Sequence, residues 1–354
     1  MIDAQKVALV VGTSGVTGTP LAEQLLLAGW KVYGVSRRAP QLRGGPFAQF
    51  HHVAVDLTDA AATRRALAAC ADVTHLFHCA NDAQPDTRLQ MIGNMLDAVE
   101  AAAPAFANIN LLQGTKYYGS YLGPFKTPAK ETDPRIPGGD FYYSEEDLVT
   151  GRQQGKRWTW TAVRPQAVCG HAAGNPVNLA TVLAIYGSIV RELGQPFAFP
   201  STEACFNALI QVVDAELLAR GAIFVSTTPG CGNRAYNVGN GDMFRWKTMW
   251  PALARYFGLE AAGPQAYSLK EFLSDKQPLW NEMTRKYGLK PFPFERTPEW
   301  AQGAFSPPNS RLGCEYDFIS DTIRVRQAGF AECLDSEQMF LGMFERFRAD
   351  RLIP

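Results

Sequence analysis

Short, mainly apolar runs alternate with longer helical segments along the first half of the chain. The runs are rich in Val, Ile, Leu and Phe, as in strands that are buried on both faces. The segments between them have the length and the Ala and Leu content of crossover helices. Strands are predicted at 7–11, 31–36, 51–55, 75–78, 109–112 and 159–163, and helices at 21–28, 60–71, 88–103 and 144–152. This alternation predicts an α/β fold with a doubly wound parallel sheet.

After about residue 170 the pattern becomes less regular, with Pro, Gly, Trp and Phe scattered among helical stretches. Helices are predicted at 214–219, 244–257 and 269–287. A strand near 234–238 is predicted to return to the sheet of the first half. We therefore expect a first domain over 1–170 and a smaller, mostly helical lobe over 171–354 that binds substrate.

A glycine-rich turn joins the first strand to the first helix. Its candidate cofactor-binding residues are Gly12, Thr13, Ser14, Gly15, Val16 and Gly18. Gly12 permits a tight turn, Gly15 lets the backbone approach a pyrophosphate, and Gly18 lets the helix pack closely on the sheet. The helix N-terminus then offers N–H donors to phosphates. The turn predicts a dinucleotide site, with an ordinary glycine-rich turn as the alternative.

Two adjacent arginines follow the second predicted strand. Ser36, Arg37 and Arg38 occupy the place where NAD-preferring sites hold an acidic side chain that binds the adenosine ribose. A carboxylate would repel a 2′-phosphate, whereas guanidinium groups bind it with charge-assisted hydrogen bonds. We therefore expect NADPH as the cofactor, with a solvated basic turn as the alternative. Asp56 and Leu57 are expected beside the adenine, unless Asp56 caps the next helix.

Charge and cysteine content narrow the class of partner. Lys plus Arg and Asp plus Glu both number 34, so no overall basic field attracts nucleic acid or anionic lipid. The 7 cysteines are scattered without a C-x-x-C spacing, which is typical of reduced thiols in the cytoplasm. The sequence shows neither a leader nor an apolar run near the ~20 residues of a bilayer span. We expect a cytoplasmic protein that binds neither nucleic acid nor membrane and holds no metal.

The candidate chemistry lies in two tyrosine-bearing segments, 114–118 and 140–143. Ordinary short-chain dehydrogenases place a Lys four residues after the catalytic Tyr, where its ammonium lowers the pKa of the phenol. Here the residue four positions after Tyr142 is Glu146, and a carboxylate would raise that pKa. The cation must therefore come from another segment, and Lys116 is the candidate because both segments meet the carboxyl edge of the sheet.

These segments resemble the progesterone 5β-reductase/iridoid synthase-like family, an atypical branch of the extended short-chain dehydrogenases. In that family a Gly-x-Lys-His-Tyr-type segment and an Asn-Phe-Tyr-Tyr segment replace Tyr-x-x-x-Lys, as 114–118 and 140–143 do here. Further matches lie at 33–38, 123–125, 163–165, 240–246 and 351–354. The resemblance spans nearly the whole chain and implies a Rossmann fold.

The family resemblance also implies roles for single residues. Tyr142 would be the catalytic phenol, next to the cofactor, and Lys116 its basic partner, with Tyr143 as the rival phenol. In the family NADPH delivers hydride to the β-carbon of an α,β-unsaturated carbonyl compound, and a donor stabilises the charge on the carbonyl oxygen. Phe125 and Tyr143 would line the pocket of a small hydrophobic enone, and Arg164 would contact the cofactor.

Several positions depart from the family pattern. Asp140 stands where Asn is common and Tyr117 where His is common, the interval from 116 to 125 is longer than in the plant enzymes, and 78–81 lacks the usual aromatic residue. The substrate therefore does not follow from the resemblance. Further aromatic residues could line a pocket or pack a core: Trp160, Tyr186, Phe206 and Trp246.

Two other functions remain as alternatives. A sugar-nucleotide epimerase or dehydratase would share the fold and the glycine turn but normally needs the missing Tyr-x-x-x-Lys. A non-catalytic dinucleotide sensor could dispense with Tyr142 and Lys116. A hydrolase is disfavoured because the chain has no Gly-x-Ser-x-Gly segment. The oligomeric state stays open, with a homodimer as one candidate.

Overall fold

The computed structural model describes residues 6–81, 84–138, 142–171, 178–305 and 314–354. Asp140 and Phe141, which belong to the second tyrosine-bearing segment, lie outside this set. The first half contains β1 (Val7–Val11), α1 (Gly18–Leu27), β2 (Lys31–Val35), β3 (Phe50–Val53), α2 (Ala60–Leu67), β4 (His75–His78), α3 (Pro85–Ala102), β5 (Asn108–Leu112), a 3-10 helix (Thr115–Tyr118), α4 (Tyr143–Gln153) and β6 (Thr159–Pro165).

The second half is dominated by helices. It contains β7 (Ala167–Cys169), α5 (Leu179–Glu192), β8 (Phe197–Phe199), α6 (Glu203–Asn207), β9 (Leu209–Ile210), β10 (Val212–Asp214), α7 (Ala215–Thr227), β11 (Arg234–Val238), β12 (Phe244–Arg245), α8 (Trp246–Phe257), β13 (Ala261–Pro264), α9 (Leu269–Ser274), α10 (Gln277–Tyr287), a 3-10 helix (Phe294–Arg296), α11 (Thr297–Phe305), α12 (Ile323–Gln327) and α13 (Ser336–Ala349).

Within the described residues, seven parallel strands form one sheet in the order β11, β6, β5, β4, β1, β2, β3. The predicted strand at 234–238 is present and pairs with β6. The strand order reverses between β1 and β4, and ligands of such sheets bind in the crevice outside the carboxyl ends of the strands at that point. The doubly wound parallel sheet predicted from the sequence is confirmed.

Both faces of the sheet are covered at its centre, which explains why a strand such as β1 is apolar throughout. Leu9 and Val11 of β1 belong to a core with residues of α2, α3 and α4. Ala8 and Val10, which point to the other face, belong to a core with residues of α1 and α7. The alternation of side chains along one strand therefore fills two separate cores.

The helices of the second half pack around a third core rich in aromatic side chains. Phe197 and Trp250 stack there with ring centroids 4.3 Å apart, and Trp246 is fully buried. Tyr186 is also buried, and its hydroxyl donates to the carbonyl oxygen of Ala198 at 2.8 Å. Trp246 and Tyr186, both considered for a pocket, therefore belong to the core.

Some predicted bounds differ from the structure for local reasons. The stretch 244–257 starts as β12, which pairs with β9, so its helix begins at Trp246. The stretch 269–287 contains two helices, because the chain turns between Ser274 and Gln277. The first helix begins at Gly18, earlier than predicted, since Pro20 lies in the first turn where a backbone N–H has no intrahelical partner.

Candidate active site

The glycine turn between β1 and α1 lies at the point where the strand order reverses. Gly12 has φ +83°, and its N–H donates to the carbonyl oxygen of Val35 at 2.8 Å. A Cβ at Gly12 would lie 2.9 Å from the backbone nitrogen of Ala80, and one at Gly18 would lie 2.2 Å from the Gly12 carbonyl oxygen. Only glycine fits at either position. The close approach of helix to strand expected of Gly18 is therefore present.

The first turn of α1 suits an anion. Its N-cap residue, Thr17, makes no side-chain cap hydrogen bond, and no acidic residue stands in the first turn. The Thr19 N–H donates to the Gly15 carbonyl oxygen at 3.0 Å, and the Leu21 N–H donates to the Thr17 carbonyl oxygen at 3.2 Å. This end of the helix can therefore present N–H groups to a phosphate, as the sequence predicts for a dinucleotide.

A small network of hydrogen bonds holds the end of β2 in place. The Thr13 hydroxyl donates to Ser36 Oγ at 3.1 Å, and the Ser36 hydroxyl donates to the Arg38 carbonyl oxygen at 2.7 Å. His52 Nε2 lies 3.0 Å from the Ser36 carbonyl oxygen and 3.2 Å from Ser36 Oγ. Because a carbonyl oxygen only accepts, Nε2 must carry the proton in that bond. The turn is thereby tied to both the glycine turn and β3.

Arg37 and Arg38 project from this turn and are exposed. The positive charge of Arg37 helps to lower the pKa of the Asp56 carboxyl. His52 was missed at the sequence level, although the pairing of Gly34 with His52 in β2 and β3 places it beside Ser36. The sequence signal that could have identified His52 is a polar residue inside a strand, next to the turn that carries Arg37 and Arg38, here called the arginine turn.

Asp56 and Leu57 follow β3 and have different surroundings. The Thr58 N–H and hydroxyl both donate to Asp56 Oδ1, at 3.0 and 2.8 Å, and with the Arg37 charge they lower the pKa of Asp56. The cap of α2 is Asp59, which accepts from the Ala62 N–H at 2.9 Å. Leu57 is buried. The alternative role of Asp56 as a helix cap is therefore excluded, while the adenine contact stays a prediction.

The two tyrosine-bearing segments converge at the carboxyl end of β5. The Tyr142 hydroxyl lies 3.5 Å from the position that a Cβ on Gly114 would take, and Lys116 follows two residues later in the 3-10 helix. Tyr142 stands at the N-cap of α4 and packs on a small aromatic cluster with Phe125. Lys116 and Tyr142 are both half-buried. Residues that are 26 positions apart in the sequence therefore share one edge of the sheet.

Tyr143, the rival phenol, has a different environment. Its hydroxyl donates to the Tyr117 carbonyl oxygen at 2.7 Å and accepts from the Ile136 N–H at 2.9 Å. The ring is buried and meets the Tyr117 ring edge to face at 4.8 Å. This differs from the substrate contact expected of Tyr143, because both hydrogen-bonding directions of its hydroxyl are used within the protein.

Glu146, the residue four positions after Tyr142, is neutralised by a buried partner. Arg164 Nη2 donates to Glu146 Oε2 at 2.7 Å, and Arg164 Nε donates to Gln113 Oε1 at 2.7 Å. The guanidinium carbon lies 3.2 Å from the centroid of the Tyr117 ring, and Arg164 is 2% exposed. This differs from the cofactor contact expected of Arg164. Its nitrogens donate to protein groups, so we assign Arg164 a structural role that supports the site.

Phe125 connects the site to the second half of the chain. It packs both on the cluster that holds Tyr142 and on the aromatic core of the second half. Its ring meets Phe318 edge to face at 5.2 Å and Tyr316 at 6.4 Å. Tyr316 and Phe318 were missed at the sequence level, because nothing in the local pattern indicates that 316–318 approaches 125. Together these rings form an apolar wall near Tyr142.

The chain belongs to the family of proteins with a PRISE-like Rossmann-fold domain, whose family model matches residues 56–354. It is 30% identical to (S)-8-oxocitronellyl enol synthase of Antirrhinum majus, with 99% of this chain and 93% of the relative covered. It is 29% identical to 3-oxo-Delta(4,5)-steroid 5-beta-reductase of Arabidopsis thaliana, with 99% and 94% covered. The family predicted from the sequence is confirmed.

Solved structures share the fold at lower identity. UDP-glucose 4-epimerase of Thermus thermophilus, in complex with NAD, superimposes with a TM-score of 0.66 at 19% identity and covers 97% of this chain and 99% of its own. The enzyme WbmG of Bordetella bronchiseptica, also with NAD, gives 0.67 at 17% identity, covering 99% and 97%. These likenesses establish the Rossmann architecture.

None of the helices in the described ranges has both the length and the apolar character needed to cross a bilayer.

Proposed function

We propose that this protein is an NADPH-dependent oxidoreductase that reduces the C=C bond of α,β-unsaturated carbonyl compounds. The observation that carries the proposal is the meeting of Tyr142 and the Lys116 segment at the carboxyl end of β5, beside the point where the strand order reverses. A dinucleotide in such a sheet binds at that edge. The names of the similar full-length proteins, an enol synthase and a 3-oxo-Δ4,5-steroid reductase, support the same chemistry.

The residues at the glycine turn and at the end of β2 fit a phosphorylated dinucleotide. Gly12 and Gly18 allow the close backbone contacts that shape the turn, and the first turn of α1 offers N–H groups to the pyrophosphate. Arg37 and Arg38 would hold the adenosine 2′-phosphate, because they are exposed and mounted on a hydrogen-bonded turn. When bound, NADPH supplies the hydride. Asp56 would lie at the adenine end, near Arg37.

Tyr142 would stabilise the oxygen of the substrate. Hydride addition at the β-carbon moves negative charge onto the carbonyl oxygen, so a preorganised O–H donor lowers the barrier. Tyr142 suits this task because its hydroxyl lies at the sheet edge, beside Gly114. The Lys116 ammonium would favour charge on the phenol and the enolate oxygen. Neither residue forms a covalent bond to the substrate.

The apolar wall of Phe125, Tyr316 and Phe318 supports a hydrophobic substrate. The Phe125 ring meets the other two edge to face, and the apolar surface of the three rings suits the hydrocarbon part of an enone. Lys126, the residue after Phe125, is paired with Asp133. A small, largely apolar enone is therefore the substrate class we propose.

The structural neighbours raise epimerisation of a sugar nucleotide as the competing activity. Their identity to this chain is below 20%, so the similarity supports a shared fold and not a shared activity. In this chain the position four residues after Tyr142 holds Glu146, whose carboxylate is bound by Arg164. No lysine stands there to activate Tyr142 from the same helix face. This observation favours enone reduction over epimerisation.

A substrate panel tests the proposal. The purified protein is mixed with NADPH and, separately, with small enones, steroid enones and dialdehydes, and both NADPH oxidation and the mass of the product are recorded. We expect NADPH oxidation and a product that is two hydrogens heavier, with far slower turnover with NADH. Conversion of a UDP-sugar without net oxidation of the cofactor would favour epimerisation. Tight binding of NADPH without turnover of any enone would favour the sensor.

A further inference from the structure

A second buried ion pair lies close to Tyr142. Arg88 of α3 donates from Nε to Glu145 Oε1 of α4 at 2.5 Å, and the two side chains are 2% and 5% exposed. The guanidinium carbon of Arg88 lies 6.0 Å from the centroid of the Tyr142 ring. This is the distance at which a cation interacts with the face of an aromatic ring.

The two glutamates that follow Tyr142 are thus each bound to an arginine from a different element. Glu145 pairs with Arg88 from α3, and Glu146 pairs with Arg164 from β6. A carboxylate four positions after a tyrosine would oppose ionisation of the phenol, but the buried Arg164 cancels that charge. In the second pair the Arg88 guanidinium lies over the Tyr142 ring, so its charge acts on the phenol at short range although Glu145 balances it at longer range. Its effect on the phenol would be that of the lysine in ordinary short-chain dehydrogenases, although Arg88 stands at a different sequence position.

We propose that Arg88, fixed by Glu145, is a positioning residue that holds the Tyr142 ring and favours ionisation of its phenol. This inference rests on the proposed function, which makes Tyr142 the donor to the substrate oxygen. A buried ion pair is a costly way to stabilise a fold, because two apolar side chains of similar volume are often as good. Placement of such a pair against the candidate phenol therefore points to a role in chemistry.

Other ionisable groups surround Tyr142 and Arg88 and must be included in the account. They are Glu145 and Glu146 on α4, Lys116 and Tyr117 on the 3-10 helix, Arg164 on β6 and His78 on β4. Burial, reinforced by Arg88, lowers the pKa of His78 to about 4, so this imidazole is neutral near pH 7. Burial raises the pKa of Glu145, and the Arg88 guanidinium opposes that shift. Arg135 belongs to the same set, since its Nη2 donates to Glu146 Oε1 at 3.2 Å. Arg88 is the cation that lies over the Tyr142 ring.

The test measures the ionisation of the Tyr142 phenol directly. The ultraviolet absorbance change on phenol ionisation is titrated in the cofactor-free protein. The wild type and each variant are titrated with Tyr142 present and with Tyr142→Phe added, and the difference between the two curves is the ionisation of Tyr142. The double variant Arg88→Met/Glu145→Met removes both charges, so neither partner is left buried alone. We expect it to raise the pH of Tyr142 ionisation by about one unit. Glu145→Gln leaves the Arg88 cation unpaired, and we expect the opposite shift.

Activity gives the second readout. We expect the double variant to lower kcat for enone reduction roughly tenfold, because a less acidic phenol is a weaker donor, with the Kd for NADPH unchanged. Arg88→Lys, which keeps the charge, should recover part of the rate. The matched control is Arg152→Met, which removes another ion pair between α4 and α3, to Asp97 and Glu100, and should leave Tyr142 ionisation unchanged.

The outcomes separate this inference from the proposed function. An unchanged ionisation of Tyr142 in the double variant overturns the role of Arg88, whatever the activity. A rate loss accompanied by an equal loss of NADPH affinity indicates general disruption and also overturns it. If the wild-type protein reduces no enone, the proposed function fails, while the titration still shows whether Arg88 acts on the phenol.

Discussion

The Tyr143 hydroxyl donates to the Tyr117 carbonyl oxygen at 2.7 Å, which fastens the first turn of α4 to the 3-10 helix that carries Lys116. The neighbouring Tyr142 is thereby held at the sheet edge while its own hydroxyl faces Gly114. Two adjacent tyrosines thus serve different purposes. One fixes the backbone, and the other is the candidate donor.

Removal of the Tyr143 hydroxyl should affect stability more than chemistry. Tyr143→Phe loses the bonds to Tyr117 and Ile136, and we expect the free energy of unfolding to fall by about 1 kcal/mol, measured by urea denaturation. The kcat for enone reduction should fall far less than in Tyr142→Phe. A larger rate loss in Tyr143→Phe than in Tyr142→Phe would reverse the assignment of the phenol.

Removal of the Tyr142 hydroxyl should slow the reaction without weakening cofactor binding. We expect Tyr142→Phe to lower kcat by roughly 10²-fold, as for the loss of one oxyanion donor, and Lys116→Met to be impaired as well. Steady-state rates and the Kd for NADPH, from fluorescence titration, are the measurements. Full turnover in either variant would remove that residue from the mechanism.

The arginine turn should decide between the two nicotinamide cofactors. Replacing both Arg37 and Arg38 with Ala removes the charge-assisted bonds to a 2′-phosphate, so the Kd for NADPH should rise at least about tenfold. The Kd for NADH should change little, since that cofactor lacks the phosphate. Arg64→Ala on α2 provides a control for the loss of a surface charge. Equal weakening of both cofactors would contradict the assignment.

His52 should influence the same preference through Ser36. In His52→Phe the Ser36 carbonyl loses its donor and the turn that carries Arg37 and Arg38 loosens, so NADPH binding weakens more than NADH binding. His52→Gln can still donate a hydrogen bond and should keep more of the preference. His51→Gln is the control, because His51 is the exposed neighbour on β3. If His52→Phe leaves the ratio of the two Kd values unchanged, the hydrogen bond has no part in selectivity.

Two buried histidines should make the fold sensitive to acid. Burial lowers the pKa of both His75 and His78 to about 4, from 6.5 in the unfolded chain. Because the folded-state pKa is the lower one, this stability is fully present above pH 6.5 and is lost as the pH falls towards 4. The loss is on the order of 3 kcal/mol for each at pH 4.

A histidine variant isolates this effect from the titration of carboxylates. His75→Phe should lose less stability than the wild type between pH 6.5 and pH 4, measured by urea denaturation at each pH. His51→Gln, at an exposed position, should follow the wild-type curve. An identical pH dependence in His75→Phe and the wild type would show that His75 is not held neutral by the fold.

The sequence predicts the sheet well because its central strands are buried on both faces, so the composition of a short run such as Val7–Val11 suffices to identify it. It also predicts the glycine turn, where Gly12 and Gly18 are required by close backbone contacts. The burial of Arg164 and Tyr143 was not predictable, because it depends on partners from other segments: Gln113 and Glu146 for Arg164, and Tyr117 and Ile136 for Tyr143. A motif shows which residues are present but not where their polar atoms are bound.

The contact of Phe125 with Tyr316 and Phe318 places the candidate reacting groups and the candidate substrate wall on distant parts of the chain. Lys116 and Tyr142 stand on the sheet edge, whereas Tyr316 lies almost 200 positions beyond Ser120, to whose carbonyl oxygen its hydroxyl donates. Under the proposed function, exchange of residues in this distant segment would change which molecules are accepted and leave the candidate donor in place. One scaffold would then diversify in substrate with its chemistry unchanged.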